Sequence, residues 1–166
     1  MVLFRPPNVA RLSALGKVEE LTKAAHYKKD PAVRAAACAA LTEMLDFLIE
    51  SLADKNLRKV LVCRNGLKAI GQPAVDKLVF ILDKGHLHRR QDAAFALGFI
   101  GAADPAAVDA LCRALQHADP LLRMIAAQAL GKIGDAHARP SLRRATADEN
   151  EQVVKAATKA LKQLTA

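Results

Sequence analysis

The sequence predicts an all-α protein, a right-handed α-solenoid in which about five helical hairpins are stacked and a final helix caps the stack. Three observations support this prediction: a short motif returns along the chain, a second motif follows it, and turn-forming residues separate the two. Apolar residues make up 52% of the chain and aromatic residues only 4%. Leu, Ile, Val and Ala must therefore supply the core, and this composition favours helix.

The first motif defines one helix of each repeat, which we call helix A. It reads Ala-Leu-Gly-Lys-Val at residues 14–18 and returns as Ala-Leu-Gly-Phe-Ile at 96–100 and Ala-Leu-Gly-Lys-Ile at 129–133. Weaker copies lie at 40–44, 66–70 and 160–164. The second residue of every copy is a leucine, which we use as an anchor: Leu15, Leu41, Leu67, Leu97, Leu130 and Leu161. Recurrence at a period of a few tens of residues is typical of solenoids.

The second motif defines the partner helix, helix B. Its copies start at residues 18, 45, 75, 108 and 138, so the period is 27 to 33 residues. Apolar residues at positions i, i+3 and i+7 of the motif form one helical face. The fifth copy, Ala138-Arg139-Pro140-Ser141-Leu142, is degenerate. One hairpin cannot bury its apolar face alone, which explains why several copies occur together.

Glycine and Asp-Pro pairs mark where helices end and begin. Gly71, Gly101 and Gly134 follow helix A, while Asp30-Pro31 and Asp119-Pro120 open repeats. Glycine is suited to the left-handed residue that ends a helix, and Asp-Pro to an N-cap followed by the first turn. Residues 35–52 contain neither Gly nor Pro, which leaves open whether they form one long helix or two.

These signals predict one domain over residues 1–166. The predicted repeats cover 8–29, 30–53, 54–83, 86–117 and 119–147, and the capping helix covers 149–164. The capping helix carries Lys155, Lys159 and Lys162 on its outer side, as expected of a terminal, solubilising element.

Two segments resemble the HEAT-like repeat of the phycobilisome lyase family. They are Asp30-Pro31-Ala-Val33-Arg34 with Ala40-Leu41, and Asp119-Pro120-Leu-Leu122-Arg123 with Ala129-Leu130-Gly131. The resemblance covers residues 8 to 164 and implies adaptor, scaffold or chaperone-like roles, with only some members handling bilins. It also implies that Arg34 and Arg123 are structural residues that join neighbouring repeats.

The search for catalytic or metal-binding residues gives none. The deoxyhypusine hydroxylases, a HEAT-like branch, bind metal through repeated His-Glu pairs. None of the five histidines here precedes a Glu, and a metal site needs several converging ligands. No phosphate-binding glycine loop occurs either. We therefore expect a non-enzyme without cofactor or metal.

The net charge of +8 raises the question of nucleic acid. The chain has one Tyr and no Trp, whereas proteins that bind nucleic acid usually add aromatic stacking residues to a basic groove. No run of residues is long and apolar enough for a membrane span, and the apolar start at Met1 to Phe4 is ended by Arg5 and Pro6. Three widely spaced cysteines favour reduced, buried thiols. Together these features predict a cytoplasmic protein.

Two positions of helix A, two before and two after the anchor, should face solvent. In the fourth repeat both are aromatic, Phe95 and Phe99, and they share one helix face. Exposed aromatic residues mark contact sites. The alternative is that both rings fold down onto a neighbouring helix A.

We expect helix B to line the concave surface and to carry the preferred partner groove. The groove residues are Asp46, Phe47, Asp76, Lys77, Phe80 and Arg113. A basic patch of Arg139, Arg143 and Arg144 would orient an acidic partner. Solvated charges, and acids placed by the helix dipole, explain the same residues without a partner.

The resulting hypothesis is a non-catalytic scaffold or adaptor that binds another protein. A bilin-lyase-like or chaperone subunit is the first alternative, and nucleic-acid binding through the basic surface is the second. The Phe pair would serve a homodimer equally well.

Overall fold

The computed structural model describes residues 7–101 and 103–164, which form helices joined by short turns. The apolar start at residues 1–4, which is too short for the signal peptide of a secreted protein, lies outside these ranges. The α-helices are α1 (Val9–Ala14), α2 (Val18–Ala25), α3 (Pro31–Glu43), α4 (Leu45–Glu50), α5 (Leu57–Ile70), α6 (Gln72–Lys84), α7 (Leu87–Ile100), α8 (Pro105–Ala114), α9 (Pro120–Ile133), α10 (Arg139–Ala145) and α11 (Glu151–Gln163). Two single 3-10 turns lie at Ser51–Ala53 and Ala136–Ala138. The all-α prediction is confirmed, and the fold is an α-solenoid.

The chain divides into two compact units, Met1–Ala74 and Val75–Ala166. The arrangement of the whole chain as one domain with the predicted repeat boundaries stays a prediction.

Side chains of the residues that precede the helices hold their first turns. Asp30, Asp104 and Asp119 each accept hydrogen bonds from backbone N–H groups of the first turn, and a proline follows each of them. Asn56 and Asn150 act in the same way before α5 and α11. These bonds satisfy N–H groups that the helix itself leaves unpaired. The N-caps predicted from Asp-Pro are therefore present.

Two of the predicted glycine ends adopt the left-handed conformation. Gly101 ends α7 with φ 72° and ψ 43°, and Gly134 ends α9 with φ 79° and ψ 12°. A side chain at either position would strain the backbone. The chain can therefore turn sharply from helix A towards helix B.

The segment from 35 to 52 contains two helices. The backbone N–H of Met44 donates to the carbonyls of Leu41 and Thr42, so the α-helical pattern is interrupted there. α4 then directs Leu45, Leu48 and Ile49 into the core. Burial of this apolar face explains the break without Gly or Pro.

The first unit has a core of leucines from successive helices. Leu21, Leu41, Leu48 and Leu67 are almost fully buried, and α2 packs against both α3 and α5. The anchor Leu15 differs, because α1 ends at Ala14 and Leu15 is 58% exposed. The repeat motif is therefore present at residues 14–18, but its leucine does not enter the core.

In the second unit the helices of type A form a close-packed layer, with α9 between α7 and α11. A Cβ placed on Gly98 would lie 2.5 Å from the Cα of Ala129, and one on Gly131 would lie 2.9 Å from the Cα of Ala160. Glycine one residue after an anchor thus contacts alanine one residue before the next anchor. The Ala-Leu-Gly motif is explained by this contact.

Whether helix B lines the inner surface of the stack stays a prediction.

Arg123 ties together the loops at one end of this layer. It is 6% exposed, and its Nε and Nη2 donate to the two carboxylate oxygens of Asp148, each at 2.8 Å. Its Nη1 donates to the carbonyls of His117 and Ala118 at 2.9 Å. The structural role expected for this arginine agrees with these bonds.

Candidate functional site

The helix-A layer of the second unit carries a groove between α9 and α11. We call it the helix-A groove; its volume is about 340 Å³. The lining residues are Met124, Gln128, Lys132, Gln152, Lys155, Ala156, Lys159, Ala160 and Gln163. Ala156 and Ala160 form its floor because both are buried.

Four lining residues occupy the two helix-A positions that were expected to face solvent. Gln128 and Lys132 lie two before and two after Leu130, and Lys159 and Gln163 lie two before and two after Leu161. All four are exposed. The sequence identified these positions but not the groove, because Gln and Lys are ordinary residues at exposed positions and do not stand out from other repeats.

Phe95 and Phe99 of α7 lie beside this groove. Their ring centroids are 5.3 Å apart and the ring planes meet at 19°, so the rings are stacked. The Nζ of Lys132 lies 5.2 Å from the centroid of Phe95 and 5.4 Å from that of Phe99. Both rings are half-buried. The alternative in which the pair contacts a neighbouring helix A is thus realised in part, through a cation–π contact.

The charge of the groove is positive. Its lining contains three lysines and no carboxylate. Lys155 pairs with Glu151 at 2.6 Å, whereas neither Lys132 nor Lys159 forms an ion pair with a described residue. Burial lowers the pKa of Lys132, and the nearby charge of Lys159 lowers it further. The free protein therefore holds two like charges close together in a partly desolvated place.

The residues of the predicted helix-B groove belong to both units. Asp46 and Phe47 lie in the first unit, and Asp76, Lys77, Phe80 and Arg113 in the second. Phe47 is 47% exposed with the Nζ of Lys59 over its ring at 5.6 Å, and Phe80 is 65% exposed. Arg113 pairs with Asp83 at 2.7 Å. The helix-B groove stays a prediction.

The predicted basic patch lies on α10 and is partly used within the fold. Arg139 donates to the carbonyl of Leu164 at 2.7 Å, at the end of α11. Arg144 donates to the hydroxyl of Ser141 at 3.3 Å. Arg143 is exposed. A role of this patch in binding stays a prediction.

The histidines and cysteines were considered as metal ligands or reactive groups because these residue types bind metals and form nucleophiles. Among the described residues no three His, Cys, Asp or Glu side chains are grouped as a metal site would need. Cys63 is buried, as expected, but Cys38 and Cys112 are only half-buried, and all three are free thiols. Burial raises the pKa of the Cys63 and Cys112 thiols.

The helical pairs and close-packed helix-A layer define a helical-repeat protein. The family model of the HEAT repeats matches residues 75–162. The chain therefore belongs to the HEAT repeat family. No curated protein matches its sequence.

Several solved structures share the fold. Human deoxyhypusine hydroxylase, in complex with glycerol, is 18% identical with a TM-score of 0.55, over 95% of this chain and 76% of the hydroxylase. An engineered protein is 22% identical with a TM-score of 0.51, over 95% of this chain and 83% of its own. A designed armadillo repeat protein, in complex with the peptide (KR)4, is 18% identical with a TM-score of 0.52, over 94% of this chain and 85% of the designed protein. At these identities the likeness shows the fold alone. Within the described residues, no helix has the length and apolar character needed to cross a membrane.

Proposed function

We propose that this chain is a non-catalytic protein-binding module that holds its partner on the helix-A layer of the second unit. HEAT and armadillo repeat folds commonly mediate contacts between proteins, and stacked repeats present extended surfaces suited to this. The observation that carries the placement is the helix-A groove, whose rim consists of exposed side chains from equivalent positions of α9 and α11.

The groove is a better candidate than the predicted helix-B groove because it lies within one compact unit. At its floor α9 and α11 approach closely, because a Cβ placed on Gly131 would lie 2.9 Å from the Cα of Ala160, with the side chain of Gln163 beside it. A preformed surface loses little conformational freedom when a partner binds. The helix-B residues are the competing surface, supported by the exposed ring of Phe80.

The non-catalytic proposal is supported by the surroundings of two cysteine thiols rather than by the fold. Burial keeps the pKa of the Cys63 and Cys112 thiols high, and a thiol of raised pKa is a poor nucleophile at neutral pH. Free thiols also fit the reducing cytoplasm that the sequence predicts.

Two finer assignments belong to the same proposal. Membership of the phycobilisome lyase type of HEAT repeat is supported by the Asp-Pro caps and by Arg123. Handling of a bilin would follow only if the purified protein, after co-expression with a bilin, absorbs visible light. Nucleic-acid binding is the remaining alternative, supported by the net charge of +8.

Site-specific photo-crosslinking in the native host tests the placement. One variant carries p-benzoylphenylalanine at position 128 in the helix-A groove, and the matched variant carries it at position 80 on helix B. We expect a discrete protein adduct from position 128 and none from position 80, and the adduct protein, once purified, should bind the unmodified chain. Adducts from position 80 alone would move the site to helix B, and no adduct from either position would contradict the proposed function.

A further inference from the structure

We propose that the helix-A groove binds an extended, acidic segment of a partner protein, with acidic residues at alternate positions. This inference rests on the proposed function and names the chemical class of the partner. It is argued from the charges of the groove, the spacing of its lysines and the state of the neighbouring aromatic rings.

The first argument is charge complementarity. Lys132, Lys155 and Lys159 line the groove together, and no acidic residue does. Lys132 and Lys159 repel each other without a carboxylate of the described chain to offset that repulsion. A bound carboxylate would remove this unfavourable interaction, so the free groove is electrostatically prepared for an anion.

The second argument is spacing. Lys155 and Lys159 are four residues apart on α11, which places them about 6 Å apart along the helix axis. Alternate side chains of an extended peptide lie on one side of it, at about 6.5–7 Å. Carboxylates at every second position can therefore meet successive lysines. The exposed pair of Lys155 with Glu151 is weak enough to exchange for a partner's carboxylate.

The third argument is the set of amides in the groove. Gln128, Gln152 and Gln163 line it beside the lysines. Each amide offers both a donor and an acceptor, which is what the backbone N–H and C=O groups of an extended peptide require. Phosphate groups, by contrast, would accept hydrogen bonds from the amide NH₂ groups but would donate none to the amide oxygens.

The aromatic rings also favour a peptide over a nucleic acid. Phe95 and Phe99 are stacked on each other and share the ammonium of Lys132. Proteins that bind single strands use free aromatic faces for bases. Here the rings are engaged in holding Lys132 in place.

Fluorescence anisotropy with a labelled peptide of alternating Glu and Ala tests the proposal on the full chain. Binding to wild type should weaken as salt is added, since the contacts are charged. We expect K132E/K159E to weaken binding by about tenfold or more. The matched control R143E/R144E makes the same change of net charge on the basic patch of α10 and should change binding by less than about twofold. A circular dichroism melt of each variant verifies that it folds, and K132R should retain binding.

Three outcomes would overturn the inference. If R143E/R144E loses as much binding as K132E/K159E, the peptide is held by general charge or by the basic patch. If a single-stranded DNA of equal charge binds as tightly and with the same variant sensitivity, the ligand is any polyanion. If no acidic peptide binds while position 128 still crosslinks to a protein, the acidic class is wrong and the proposed function survives.

Discussion

Arg123 shows how much one side chain contributes to this fold. Its guanidinium joins the loop before α9 to the loop before α11 through Asp148 and two carbonyls. The side chains of Arg123 and Asp148 are only 7% and 11% exposed. Arg34 and Arg90 repeat part of the pattern, since each donates to a carbonyl before its own helix, at Tyr27 and Gly85. The resemblance to the phycobilisome lyase type of HEAT-like repeat implied a structural role for Arg34 and Arg123.

Replacing Arg123 with Lys should destabilise the protein although the charge is kept. Lysine cannot reproduce the planar fork that bonds both oxygens of Asp148 and the two carbonyls. We expect the free energy of unfolding to fall by about 3 kcal/mol, measured by urea denaturation. The control Arg143→Lys, at an exposed position of α10, should stay within about 0.5 kcal/mol. Equal losses from both variants would contradict this account of Arg123.

Asp148 should make the protein sensitive to acid. Its hydrogen bond from Arg123, assisted by the backbone N–H of Asn150, holds the pKa of the carboxyl below its ordinary value of 3.8. Because the folded pKa is depressed, the stabilisation is present above pH 3.8 and is lost as the pH falls from there through the lower folded pKa.

Asp148→Asn should therefore be less stable than wild type at neutral pH but lose less stability on acidification. The measurement is the free energy of unfolding from pH 6 down to about pH 2. Glu43→Gln, at an exposed position of α3, is the control and should leave the slope nearly unchanged. A slope of Asp148→Asn parallel to that of wild type would contradict the assignment.

At the scale of the helices, sequence signals located most boundaries for local physical reasons. The effect of Asp-Pro and of Gly on helix ends is confined to one turn of the helix. Asp119 and Gly134 therefore predicted the start and the end of α9 from the sequence. The sequence left the break at Met44 open, because it depends on how Leu45, Leu48 and Ile49 reach the core. Exposure of Leu15 was missed for a similar reason: the motif is intact, but α1 is only six residues long.

The contact between helices of type A predicts that replacing glycine with alanine destabilises the protein at Gly98 but not at Gly66. Gly98→Ala would bring its Cβ to 2.5 Å from the backbone of Ala129, so α7 and α9 must move apart. We expect a loss of about 1–3 kcal/mol, even though alanine is the better helix former. Gly66→Ala is the matched control in α5, where the nearest atoms are side-chain methyls of Val18 and Leu48 at 3.3 Å and beyond.

The measurement is the midpoint of thermal or urea unfolding of both variants. Gly66→Ala should be near neutral, since the methyl groups can shift by the few tenths of an ångström required. If Gly98→Ala were as stable as wild type, the glycine of the Ala-Leu-Gly motif would not be explained by helix packing.

For the whole molecule, the described contacts predict unequal stability along the chain. In α1 no residue is buried, whereas α9 buries seven, including Leu122, Arg123 and Leu130. Local opening needs less free energy where few apolar contacts are lost. Amide hydrogen exchange should therefore be slowest in α9 and fastest in α1. Comparable protection in the two helices would contradict this gradient.

The candidate site was only partly accessible from the sequence. The repeat pattern predicted two exposed positions on helix A. Phe95 and Phe99 were expected to form the contact site because they are the aromatic residues at these positions. The groove is lined instead by ordinary residues, such as Gln128 and Lys132, that become a surface only when α9 and α11 lie side by side. That proximity depends on glycine and alanine contacts between repeats, which one repeat alone does not reveal.

The close glycine–alanine contact between repeats is not available to every helix of type A. Gly98 and Gly131 each admit a following helix, whereas the equivalent residue of α11, one after Leu161, is the exposed Lys162. A lysine there keeps a helix of another molecule from docking as α11 docks on α9. A helix with lysine at this position can still pack against another helix, but not at the short distance that Gly131 allows between α9 and α11.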